Sequence, residues 1–174
     1  SAASYVYKRQ MFDIFGEFNS AEEINEAAAA QLQEGDTDAV MTIARENGID
    51  VDDAQDYIDG VIDELCSPLM AAFGKIGVET EELQPKEIIV DWINYIKKRC
   101  TESEDMARAV RKNGRSVKGC IGALLKWSFN NAYEVDKDII HLSGIKGASA
   151  VKMGIPGMAT AYKLIDEYYL GGNK

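Results

Sequence analysis

The chain has one histidine, His141, and only three prolines and three cysteines among 174 residues. A single imidazole cannot build an HExxH or His-rich zinc site. Cys66, Cys100 and Cys120 are odd in number and far apart. They form neither a disulfide framework nor a CxxC knuckle, and read as free thiols in a reducing compartment. No GxSxG, Walker loop or GxGxxG is present, so no signature of acyl transfer, phosphate cradling or dinucleotide binding exists. No apolar run approaches the roughly 18 residues of a membrane span, and SAASYVYKRQ has no apolar signal core. A calcium loop starting at Asp50 would place Ala54, Gln55 and Val61 where an acid, a glycine and a glutamate are required. Acid pairs are so numerous that none stands out as a general acid–base couple. The expectation is an acidic protein that is not an enzyme and carries neither cofactor nor metal.

Bases are also scarce where acids crowd. Between Asp13 and Glu64 sixteen acids face Arg45 alone, whereas nine bases face three acids between Lys97 and Lys126. Such a dipolar chain can steer one partner towards each end, or fold its basic segment against its acidic one. A net charge of -10 disfavours simple non-specific binding to DNA, leaving only the basic segment as a candidate.

What is there is mostly helical pattern. The expected fold class is all-α, about seven to eight helices, in one domain or in two lobes at 11–76 and 85–172. Residues 77–84 are the expected hinge, being short, polar and bounded by Gly77 and Pro85. Tyr5 to Phe18 reads as an aromatic lead-in docked on the core. Ser20 with Glu23 forms a capping box for a helix over 20–33 that Gly35 ends. Asp36 caps a helix over 37–46 that stops at Asn47-Gly48. Asp50 caps a long helix over 50–74, with Ala54, Ile58, Val61, Ile62, Leu65 and Leu69 on its core face and a break expected at Cys66-Ser67 before Pro68. Further helices are read over 85–99, 102–112 and 116–129, the last apolar most of the way round and expected to be central. A short helix over 137–142 and a final one over 158–170 follow. Ile145 to Gly157 lacks a helical period and is read as a small strand or hairpin.

The organising feature is the acidic face of the 50–74 helix. Asp52, Asp56, Asp59 and Asp63 recur at steps of four, three and four, flanked by Asp53 and Glu64. Residues at such steps lie roughly 5–6 Å apart on a helix, where like charges repel. A row of carboxylates at that pitch resembles a row of phosphates and suits a basic groove built for nucleic acid. The same row would also serve as a solvated face, although ordinary surface helices interleave both signs. The basic residues Arg108, Arg111, Lys112, Arg115 and Lys118 are equally ambiguous. They could hold phosphates, pair with the acidic segment or lie solvated. Trp127 and Phe129 nearby suit a core better than a base-stacking platform.

Several blocks together resemble one family. They are FDIFGEF at 12–18, AEEINEAAAAQ, ENGIDVDDAQDYIDG, DELCSPLMAAFGKI, DWINYI, RKNGRSVKGCIGALLKWSF and MGIPGMATAYKLIDEYYLGG. The pattern is similar to PcfK-like proteins of Clostridia-type mobile elements, a class that includes type II-A anti-CRISPR proteins. The resemblance implies a phage or mobile-element protein acting in the bacterial cytoplasm by binding and inhibiting the RNA-guided nuclease Cas9 or its guide-RNA complex. It transfers no site residue, so the candidate site rests on the charge pattern. Cas9 holds its heteroduplex in a positively charged channel and reads its PAM with arginines, and an acidic helix could compete there. The alternative is an accessory protein of conjugation or phage replication that binds protein or nucleic acid through the basic segment.

Overall fold

Seven side-chain caps set most of the architecture. Ser20, Asp36, Asp50, Ser67, Ser103, Ser116 and Asp136 each accept a backbone N–H in the first turn that follows, satisfying donors that a helix start leaves open. The computed structural model describes residues 14–171. The helices are α1 (Ala21–Gln33), α2 (Thr37–Glu46), α3 (Val51–Ile58), α4 (Pro68–Leu83), α5 (Ile88–Glu102), α6 (Glu104–Arg111), α7 (Val117–Asn130), α8 (Lys137–Leu142) and α9 (Met158–Leu170). The fold is all-α with one two-stranded antiparallel sheet, β1 (Tyr133–Glu134) and β2 (Lys152–Met153). The part of the expected lead-in before Ile14 falls outside the described residues; Phe15 and Phe18 pack on the N-terminal core.

The long helix expected over 50–74 is two helices. α3 stops at Ile58 because Gly60 takes a left-handed φ of 73°. The Val61 N–H then reaches the Asp56 carbonyl at 2.8 Å and the Gly60 N–H reaches Tyr57 at 3.1 Å, the double bond of a Schellman stop. Gly35 and Gly48 end α1 and α2 by the same pairing. The stop leaves Val61 exposed rather than buried, and buries Tyr57 instead. α4 then starts afresh at Ser67 with Pro68 in its first turn, where a missing N–H costs nothing.

The segment 77–84, expected as a hinge, is the last stretch of α4 and its cap, Gln84, whose N–H bonds the Thr80 carbonyl at 3.0 Å. Two apolar clusters meet on α4: Ala71 belongs to one with Ile24, Ile43 and Leu65, and Ala72 and Ile76 to another with Trp92, Ile96, Met106 and Ile165. α7 is not central. It buries Val117, Cys120 and Leu124 but leaves Leu125 and Phe129 in solvent. The most buried short element is α6, with Met106, Ala107, Ala109, Val110 and Arg111 all inside. β2 lies within the expected hairpin region, but its partner is Tyr133–Glu134, with α8 in the connection.

α2 and α4 touch backbone to backbone. Space for a Cβ at Gly74 is taken by the Asn47 carbonyl, and space at Gly48 by the Gly74 backbone. Three residues on in the same helix, nothing lies within 4 Å of a Cβ at Gly77. Gly74→Ala should therefore destabilise by about 1–3 kcal/mol through overpacking. Gly77→Ala should stabilise by about 0.5–1 kcal/mol by removing a helix glycine. Urea unfolding of the two variants checks the opposite signs.

Candidate partner-binding surface

The basic segment is used inside the chain. Arg111 is 1% exposed. Its Nε donates to the Phe18 carbonyl at 3.0 Å and its Nη1 to the Ala71 carbonyl at 3.3 Å. Its Nη2 donates to Asn47 Oδ1. Burial pulls the guanidinium pKa below its ordinary value, partly offset by the nearby Glu17, as desolvation of a cation requires. Lys75 from α4 lies beside it, also 1% exposed. The Lys75 ammonium donates to the Lys112 carbonyl at 2.9 Å and pairs with Glu17 at 2.8 Å. Glu79, one turn further along α4, accepts the Val117 N–H at 2.9 Å at the start of α7. Burial raises its carboxyl above the ordinary range.

The other bases of the segment lie at the surface with partners. Arg108 pairs with Glu22 of α1 at 2.6 Å and with Glu104 at 2.8 Å. The hydrogen bond from Arg108 draws the Glu22 carboxyl below its usual range. Lys118 pairs with Glu82 at 2.7 Å. Arg115 stacks over the Tyr168 ring, 5.4 Å from its centroid, and donates to the Gly171 carbonyl at 3.3 Å. Lys112 is exposed and makes no ion pair among the described residues.

The acidic row has the opposite character. Asp52, Asp56, Asp59, Asp63 and Glu64 are exposed and Asp53 is half-buried. None of the six makes an ion pair among the described residues. The row does not follow one straight helix. Asp52, Asp53 and Asp56 lie on α3, Asp59 is its C-cap, and Asp63 and Glu64 lie in the turns before α4. Asp56 and Asp59 therefore sit at the negative end of the helix dipole, with no base in the last turn. Acids there are unfavourable by about 0.3–1 kcal/mol each in exposed positions, and they concentrate negative potential at one corner of the molecule.

A second exposed surface went unread in the sequence. Phe129 is 85% and Leu142 83% exposed, and Leu125, Tyr133, Ile139 and Met158 are also largely open. Phe129 and Leu125 look like core residues because α7 is apolar most of the way round. No helix packs over that face, and only the tertiary arrangement reveals it. A cleft of about 460 Å³ lies beside α8, lined by Lys137, His141, Lys146 and Ser149 among others. Among the described residues no group of three or more His, Cys, Asp or Glu is placed to hold a metal ion, and no helix is long and apolar enough to cross a membrane.

The two arginines should separate in mutation. Arg111→Ala strands Asn47 and two buried carbonyls and should cost about 3–5 kcal/mol in denaturant unfolding. Arg108→Ala, with solvent available to replace its partners, should leave the midpoint nearly unchanged. The three thiols are buried, and burial pushes each up to about 12. A thiol reagent at neutral pH should therefore find none of them in the native protein and all three after unfolding, because the thiolate is the reactive form. Compared with family models, curated proteins and solved structures, the chain matches none.

Proposed function

We propose that this chain is a non-enzymatic inhibitor that uses its acidic row to occupy a basic groove, and that the groove belongs to the RNA-guided nuclease Cas9 or its guide-RNA complex. The Cas9 assignment rests on the resemblance to PcfK-like anti-CRISPR proteins. The acidic mode rests on one observation. The six carboxylates of residues 52–64 are left without cationic partners, although the chain contains 19 Lys and Arg. Its bases are spent elsewhere, on Glu17, Glu22, Glu82, Asp166 and backbone carbonyls. A fold that neutralised its own acids would have set some of these bases against α3.

The bases of residues 108–118 offer little to a phosphate backbone, since Arg111 is internal and Arg108, Arg115 and Lys118 are already held. That weighs against the accessory-protein reading, in which this segment binds nucleic acid. A groove that normally holds phosphates presents spaced cations, and carboxylates roughly 5–6 Å apart along α3 meet them with similar geometry. Association with such a groove is steered by charge and weakens with salt.

Binding to purified Cas9, with and without guide RNA and at two salt concentrations, followed by a cleavage assay, tests the proposal. The expected result is salt-sensitive binding with loss of cleavage. Asp56→Lys, Asp59→Lys and Asp63→Lys together should weaken binding at least tenfold, about 1.4 kcal/mol. Their melting temperature should hold or rise, because the helix end favours cations. Unchanged inhibition by the triple variant would overturn the acidic mode. Failure to bind several type II-A nucleases, with salt-dependent retardation of nucleic acid instead, would overturn the Cas9 reading in favour of the accessory one.

A further inference from the structure

Residues 125–158 form an end of the molecule unlike the rest. The two-residue strands β1 and β2 pair with Tyr133 opposite Met153 and Glu134 opposite Lys152. The Val135 N–H extends the ladder to the Val151 carbonyl at 2.8 Å. Gly154 seats this ribbon on α7, where a Cβ would meet the Ser128 carbonyl and, at 3.3 Å, the Ala132 methyl. Phe129 therefore lies next to the ribbon. Between the strands, residues 136–150 run out as an arm that carries α8. Among the described residues no other element packs extensively against α8.

This arm is built from weak parts. A six-residue helix is far below the length at which isolated helices persist in water, and a lone two-stranded ribbon is marginal. Yet the arm buries only Ile140 and leaves Ile139, Leu142 and Ile145 open. Together with Phe129, Tyr133 and Met153 on α7 and the ribbon, and the neighbouring apolar side chains, the open surface is on the order of 1,000 Å². The largest patch on a typical monomer is only about 300–600 Å², and about 800 Å² per partner suffices for a stable interface.

The charge around this end says what can cover it. Over residues 125–158 four bases, Lys126, Lys137, Lys146 and Lys152, face three acids, Glu134, Asp136 and Asp138. On a chain of net charge -10 this end is close to neutral, so two copies can meet here without the repulsion they would feel through their acidic faces. Mixed signs also suit a two-fold contact, in which each patch meets its own duplicate.

We infer that the protein is a homodimer in solution, joined through the arm of residues 136–150, the ribbon and the exposed face of α7. The dimer buries Phe129 and Leu142 of each copy and leaves both acidic rows facing outward. Sedimentation equilibrium across the micromolar range tests this, with Phe129→Asp and Leu142→Asp as separate variants. Both side chains are exposed in the single chain, so the circular dichroism of each variant should match wild type. The wild type should give the mass of two chains and each variant half of that. Amide exchange over residues 136–150 should be slow in the wild type and faster in the variants. A wild type that stays monomeric throughout the range overturns the inference, as do variants that keep the full mass. A monomeric wild type whose Phe129→Asp form loses nuclease binding would also overturn it, giving the patch to a different partner.

Discussion

The buried guanidinium of Arg111 is the joint on which the molecule depends. It arrives on α6 and donates to the Phe18 carbonyl before α1, the Ala71 carbonyl on α4 and the Asn47 side chain at the end of α2. Four stretches of chain, up to 93 residues apart, are tied to one planar group. Arginine suits this place because its donors fan out in a fixed plane and stay charged. Burying a cation is costly, and the cost is offset only when its donors are filled. Lys75 repeats the arrangement one turn beyond Ala71, with Glu17 and the Lys112 carbonyl as partners. The Gly48–Gly74 contact is a precondition: without a Cβ at either position, α2 comes close enough to α4 for Asn47 to meet Arg111.

This joint lies between the two apolar clusters. It has a consequence for the surface. Bases that could have balanced the acids of 50–64 are committed to holding the lobes together or to pairing along other helices, so the acidic row keeps its field. The fold therefore tolerates acids at the negative end of α3, a local arrangement that intrinsic helix preferences oppose. Departures of this kind, where a local rule is broken without a compensating contact, are where binding function is to be sought.

At the opposite extreme of chemistry, the arm and ribbon of 125–158 expose apolar side chains beside a near-neutral rim. Acidic row and apolar end are separate in sequence and in composition. One is shaped to attract cations over a distance, the other to exclude water on contact. A protein carrying both has two distinct ways to meet other molecules, and neither needs a catalytic group.

Much of the helical framework was legible because its determinants are local. Ser20, Asp36, Asp50, Ser116 and Asp136 cap the helices they precede, and Gly35 and Gly48 stop theirs, through bonds spanning a few residues. Gly60 obeys the same rule, but the apolar spacing that continues past it to Leu69 masked the stop. The spacing of the acids was likewise readable, and so was their exposure, since carboxylates are rarely buried. Sequence could not assign the fate of residues whose chemistry allows two environments. Arg111 reads as one more base in a basic run, yet it is internal; Phe129 reads as core, yet it is open. The 77–84 segment reads as a polar hinge, yet its packing makes it helix, and β2 takes a partner from before α8. The division has a physical reason: caps and turns are settled by hydrogen bonds between near neighbours, which the order of residues by itself determines. Burial is settled by which faces meet across tens of residues, and only the tertiary structure decides that.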